Sequence, residues 1–239
     1  MSRRRVESNE LPRRPAARML PVSNGEPSLP IGQPTTTLAD HFGAAFCINL
    51  AARADRWQIS KPAFRQAGVD IRRFEAIDMR GSGVRLSPEP SEGPGAVGCL
   101  RSHAQIYRLV LEEKLKAALV FEDDVALADH FLDRLLPWVE GLGQPGEPDG
   151  WDLLVLGRLP NGLGAHAYAI TPRVCEMMLE SLRPENRHLD VVLLRETAPR
   201  VRTSECTLAW QRGLPSDTAP RGRFVHGDGA QVPRPRRRH

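Results

Sequence analysis

Apolar residues in this chain fall into short runs separated by stretches of helical periodicity. "AAFCINL" (44–50) reads as a buried strand. The following "ARADRWQISKPAFRQAG" reads as a helical segment ending near Gly68, in which Pro62 is expected to kink or divide the helix. "RRFEAID" (72–78) alternates as a second strand would, and 79–95 is dense in Gly, Pro and Ser, as a loop is. In 96–116, Leu100, Ile106, Tyr107, Val110 and Leu111 share one broad helical face, and the strand "AALVF" (117–121) follows at once. Residues 127–143 predict another helix, with Asp129 as its cap and Pro137 near its end. "WDLLVLG" (151–157) and "HAYAIT" (166–171) read as strands. The second leads into a helix capped by Thr171, with Pro172 in its first position and Val174, Met177, Met178 and Leu182 as a core-packing stripe. Strands alternating with helices predict an α/β domain whose mixed, mostly parallel sheet is covered by helices on both faces.

One junction in this pattern carries chemistry. The strand ending at Phe121 runs into three consecutive carboxylates, Glu122, Asp123 and Asp124. If the extended conformation continues, Glu122 and Asp124 face one way and Asp123 the other. In open α/β sheets ligands collect beyond the carboxyl ends of strands, and carboxylates clustered there repel one another unless something positive joins them. A hard divalent cation such as Mn²⁺ or Mg²⁺, shared with phosphate oxygens, resolves the conflict, with a nucleoside diphosphate or similar phosphate as its natural cargo. The plainer alternative sets the acids in a turn and at the positive end of the next helix.

Charge is uneven along the chain. The net charge is +4, yet residues 1–20 and 221–239 hold twelve Arg against Glu7, Glu10 and Asp228, a surplus of nine that leaves the remainder at −5. Residues 1–41 and 218–239 are therefore expected to be solvated basic tails around a single domain spanning 42–217. Phe224 is the only aromatic residue among the tail arginines, so no specific nucleic-acid partner is expected. At most the tails supply weak, salt-sensitive attraction to an anionic membrane surface. No apolar segment follows the basic start, and no run approaches the roughly 20 apolar residues of a membrane span, so a cytoplasmic protein, at most peripheral at the inner membrane, is expected. Cys47, Cys99, Cys175 and Cys206 are widely spaced and read as four buried, reduced thiols.

From about 44 to 217 the chain resembles glycosyltransferase family 25, which includes lipooligosaccharide and collagen galactosyltransferases. The resemblance rests on "INLAARADRW", "RFEAIDMRG", "GCLRSHAQIY", "VFEDDV", "AHAYAIT", "LDVVL" and "QRGLPSD", which occur in the family's order and spacing. It implies a GT-A-like α/β domain, a UDP-sugar donor with galactose as the sugar, a divalent metal at the acidic block, and transfer with inversion to a hydroxyl of a glycan or lipid-linked glycan, as in lipopolysaccharide biosynthesis. Residue by residue, the resemblance implies Asp124 as the metal ligand, with Glu122 joining it. Glu122 or Asp123 would meet the donor ribose or the metal's waters. The first acid is Glu rather than the Asp of a DxD sequence.

Ile48, Asn49 and Leu50 would then end the first strand beside the nucleotide, with Arg53 or Arg56 donating to the diphosphate. Asp78 would meet the base or ribose, or else cap a turn. Ser102 and His103 are expected in the opening turns of a helix, where free N–H groups suit phosphate. The general base that inversion requires is assigned to Asp190, with Glu185 in reserve and Asp217 and His226 as later candidates. The competing reading is a catalytically silent domain of this kind that binds a nucleotide or a partner.

Overall fold

The structure is a computed structural model and describes residues 37–83, 93–157, 165–182, 189–193, 200–204 and 206–214. Fourteen elements follow one another among these residues: α1 (Leu38–His41), β1 (Ala44–Asn49), α2 (Ala54–Gln66), β2 (Arg72–Glu75), α3 (Pro94–Glu112), β3 (Ala118–Glu122), β4 (Val125–Leu127), α4 (Phe131–Glu140), β5 (Leu153–Val155), β6 (Ala167–Ile170), α5 (Pro172–Ser181), α6 (Leu189–Val191), β7 (Val201–Thr203) and β8 (Ala209–Gln211). The main sheet has the order β2-β1-β3-β6-β5-β7, and only β6 runs against the others. This is the mixed, mostly parallel α/β sheet that the sequence pattern predicts.

Period-two alternation along the strands divides the core in two. Along β3, Ala118 and Val120 face a cluster with Leu100, Ile106, Tyr107 and Val110 of α3 and Val174 and Met178 of α5. Leu119 and Phe121 face the opposite cluster, with Phe64 of α2, Phe131 and Leu135 of α4, and Trp151. The strand is thus buried on both faces, which is why its sequence reads as a continuous apolar run.

Several elements differ from the sequence expectation. Pro62 neither divides nor ends its helix; α2 is a single helix with Pro62 inside it. Pro62 and Gln58, whose carbonyl lacks a donor as a result, both lie on the exposed side, where water can satisfy the carbonyl. Helix α3 begins two residues earlier than the apolar pattern suggests, with Pro94 in its first turn. Asp129 does not cap α4; the chain enters that helix through His130 in a left-handed conformation, φ 55°. Thr171 occupies the N-cap position of α5 but makes no capping bond with its side chain. Of the cysteines, Cys47 and Cys175 are buried, Cys99 is half-buried and Cys206 is exposed. The antiparallel ribbon of β4 and β8 has no counterpart in the sequence reading, because each strand is three residues long and is defined by its distant partner.

Gly98 shows how closely α3 is seated. A Cβ at this position would lie 2.3 Å from the carbonyl oxygen of Ile77. Ser102, one turn on, donates to the Gly98 carbonyl at 2.7 Å and accepts from the Ile77 N–H at 2.9 Å. Gly98→Ala should therefore cost about 1–3 kcal/mol despite the better helix propensity of Ala. A urea midpoint equal to or above that of the parent chain would show that the contact is loose.

Candidate active site

The chain passes from β1 to β2 on one side of the sheet and to β3 on the other, so the carboxyl ends of β1 and β3 flank a topological switch point. Crevices of this kind receive ligands in open α/β sheets. Asn49 ends β1, Glu122 ends β3, and Ile48 lies in register with Glu122. Asp123 and Asp124 form the turn that follows.

The three acids go three ways. Asp123 turns to the α2 face, where Arg56 Nη1 donates to its Oδ1 at 2.8 Å and Asn49 Nδ2 to its Oδ2 at 2.6 Å. Asn49 is itself held by Arg73, whose Nε and Nη2 donate to Asn49 Oδ1 at 2.9 and 2.6 Å. Glu122 turns to the α3 face, its Oε1 3.6 Å from His103 Nε2 and 3.9 Å from Cys99 Sγ. Asp124 accepts from Gln211 Nε2 on its Oδ2 at 2.8 Å, while its backbone carbonyl accepts from the Arg212 N–H at 2.7 Å. The opposite orientations of Glu122 and Asp123 follow the strand's alternation; Asp124 leaves it because the chain turns there.

Their electrostatics differ accordingly. Burial would raise the Glu122 carboxyl, but His103, His166 and Arg56 nearby hold it below its ordinary value. Burial, with the negative charge of Glu122, pushes Asp124 up to about 7. Its Oδ1 is buried and has no hydrogen-bond partner among the described residues. A buried carboxylate oxygen without a donor, beside a second acid, is the setting a divalent cation relieves, so Asp124 and Glu122 fit the metal implied above.

The remaining predicted residues lie as follows. Leu50 is half-buried and its carbonyl accepts from the Arg53 N–H at 2.9 Å. Arg53 pairs with Asp55 at 2.9 Å, and that bond brings the Asp55 carboxyl down to about 2. Arg56 is buried in the Asp123 pair. Asp78 is exposed and bound to Arg80, which lowers its carboxyl to about 2. Asp190, half-buried on α6, acts with Glu122 and Asp124 on the Cys99 thiol, which burial first of all pushes up. Glu185, Asp217 and His226 lie outside the described residues.

Ser102 and His103 are not in the opening turns of a helix. They are the ninth and tenth residues of α3, where the backbone N–H groups belong to the helical ladder and cannot serve phosphate. Their side chains do the work instead. Ser102 ties α3 to Ile77, and His103 is fully buried with Nδ1 2.7 Å from Tyr168 Oη, which in turn lies 2.9 Å from Tyr107 Oη. Arg73, Cys99 and Gln211 complete the arrangement without having been singled out from sequence. Cys99 and Gln211 stood inside "GCLRSHAQIY" and "QRGLPSD"; Arg73 had no local signal beyond strand alternation.

The fold is thus an α/β domain with three acids at a topological switch point, the place where open α/β sheets receive ligands. Residues 42–137 match the family model of Glycosyltransferase family 25 (LPS biosynthesis protein). The human protein named Inactive glycosyltransferase 25 family member 3 is 35% identical over 135 residues, covering 49% of this chain and 22% of that protein. Human Procollagen galactosyltransferase 2 is 27% identical over 132 residues, covering 49% of this chain and 21% of its own length. The chain thus spans about a fifth of the length of these curated relatives. A solved glycosyltransferase involved in glycosylation of the major capsid of PBCV-1 aligns with 67% of this chain and 80% of its own at 11% identity, TM-score 0.44. No helix among the described residues is long and apolar enough to cross a membrane.

Proposed function

We propose that this chain is an inverting glycosyltransferase that moves a sugar, galactose by family likeness, from a UDP-sugar to a hydroxyl of a glycan or lipid-linked glycan. The observation that carries this reading is Asp124, with its donor-less buried oxygen at the switch-point crevice and a carboxyl raised to about 7. Asp124 would hold a divalent metal, Mn²⁺ in preference to Mg²⁺, with Glu122 lending a carboxylate oxygen. A cation held there would offset charge developing on the departing nucleoside diphosphate.

The other roles belong to the chain's own groups. Asn49, Leu50 and Asp78 line the nucleotide side, and Arg53, whose partner Asp55 is exposed, meets the diphosphate in preference to Arg56, which is buried in its pair with Asp123. Asp123, anchored by Arg56 and Asn49, keeps the acidic turn rigid and faces the ribose. Asp190 takes the proton of the acceptor hydroxyl as its oxygen bonds to the anomeric carbon and the bond to the diphosphate breaks on the opposite face. A second reading, a silent domain that retains nucleotide binding, is favoured by the name of the 35% identical human relative.

Thermal unfolding with UDP, GDP or CMP, each with and without Mn²⁺, tests the donor class. UDP with Mn²⁺ together should stabilise the protein, by about 2.7 kcal/mol at a hundred times Kd, and neither alone should match it. Equal responses to all three nucleotides, or none, would reject a UDP-sugar donor. Stabilisation without turnover of UDP-galactose or transfer to any glycan hydroxyl would select the silent reading.

A further inference from the structure

We propose that Cys99 Sγ, His103 Nε2 and Glu122 Oε1 form a three-ligand site for a tetrahedral, thiolate-binding divalent ion of the zinc type, with its fourth position open to solvent. Nothing in the glycosyl-transfer reading requires this site, although the two share Glu122. The three ligand atoms lie within 4.8 Å of one another. Cys99 and His103 are four residues apart on α3, so they share one helix face, and Glu122 comes to that face from the end of β3.

The spacing suits such an ion. Tetrahedral zinc with ordinary bond lengths sets S···O at about 3.5 Å and N···O at about 3.3 Å. The Cys99–Glu122 and His103–Glu122 separations are 3.9 and 3.6 Å, so these two edges need a contraction of about 0.3–0.4 Å, and the Cys99–His103 edge is within 4.8 Å. The Cys99 thiol donates a long, weak hydrogen bond to Glu122, but the 3.6 Å between His103 Nε2 and Glu122 Oε1 is too long for one. His103 is fully buried, and its Nε2, aimed at the cluster, has no hydrogen-bond partner among the described residues.

Outer contacts support a ligand role for His103. Its Nδ1 meets Tyr168 Oη at 2.7 Å, and its ring stacks on Tyr168 with centroids 5.8 Å apart. With Nδ1–H donating to that phenol, whose own O–H can pass on to Tyr107, the Nε2 lone pair points into the cluster. Cys99 and Glu122 are half-buried, which leaves a route for the ion and a side for a fourth ligand. Thiolate and imidazole together select zinc-like ions over Mn²⁺ or Mg²⁺, which prefer oxygen alone. Glu122 has two carboxylate oxygens, so one can serve this site and the other the ion held by Asp124.

Titration of the untagged, reduced full-length chain with Co²⁺ provides the test. One equivalent should produce a thiolate-to-cobalt charge-transfer band and tetrahedral ligand-field bands, both abolished by Zn²⁺ but not by excess Mn²⁺. Cys99→Ser should remove the charge-transfer band, while Cys206→Ser, at the exposed thiol, should keep it. Tyr168→Phe should weaken Co²⁺ binding about 10–100-fold while leaving the band's shape unchanged. No band in folded protein, a band that survives Cys99→Ser, or displacement by Mn²⁺ would overturn the proposal. UDP–Mn²⁺ stabilisation that persists without Co²⁺ binding would sink this site alone, and the reverse result would sink only the donor reading.

Discussion

Replacing Arg56 by Met should lower stability by about 3–5 kcal/mol, a fall on the order of 10 °C in Tm for a domain of this size. The reason lies in the burial of both partners: the Arg56 and Asp123 side chains are 7% and 8% exposed and meet at 2.8 Å. Removing the guanidinium leaves Asp123 with the Asn49 amide as its described donor, in a setting that water hardly reaches. The cost comes from the stranded carboxylate more than from the lost attraction. Arg56→Met combined with Asp123→Asn should therefore recover most of the loss. Urea unfolding with an unchanged m-value is the measurement. A loss below about 1 kcal/mol for the single variant, with nucleotide binding reduced, would instead assign Arg56 to the diphosphate.

Asp124→Asn should reduce Mn²⁺-dependent UDP binding at least about tenfold, on the order of 1.4 kcal/mol, while the metal-free protein becomes more stable near pH 8. Both effects come from the same carboxyl. Burial and Glu122 raise it from 3.8 to about 7, so between those values the folded protein holds a proton that the unfolded chain has released. Stability therefore falls as pH rises through that window, by as much as a few kcal/mol, and levels off above about 7. Asparagine has no proton to lose, so the variant's stability should be nearly flat there, and Mn²⁺ should stabilise the parent most at the alkaline end. Parent and variant curves of the same slope in metal-free buffer, or undiminished UDP–Mn²⁺ binding, would remove Asp124 from the site.

The fold was largely legible because its signals are local. An apolar run such as Ala117–Phe121 and a helical stripe such as Leu100–Ile106–Val110 need only neighbouring residues to be read. Pro62 misled because its effect depends on which side of the helix faces water, and Asp129 because a left-handed His130 set the entry to α4. Ser102 and His103 read as lying near a helix start because the Gly- and Pro-containing residues before Ala96 resemble a loop, whereas Pro94 is a good first helical residue.

The amino-acid sequence by itself determined the alternating strands and helices, the acidic turn at a strand end, and the opposite facing of Glu122 and Asp123, which period-two geometry requires. Tertiary structure alone decided what each acid meets. Asn49 and Arg56 reach Asp123 across 74 and 67 residues of chain, and Gln211 reaches Asp124 across 87. Such pairings depend on strand order and helix docking, which are settled by burial of both sheet faces rather than by local preference. The same packing brings Cys99 and His103 of α3 against Glu122 of β3, where the chemistry of the acidic turn is divided between two faces of the sheet.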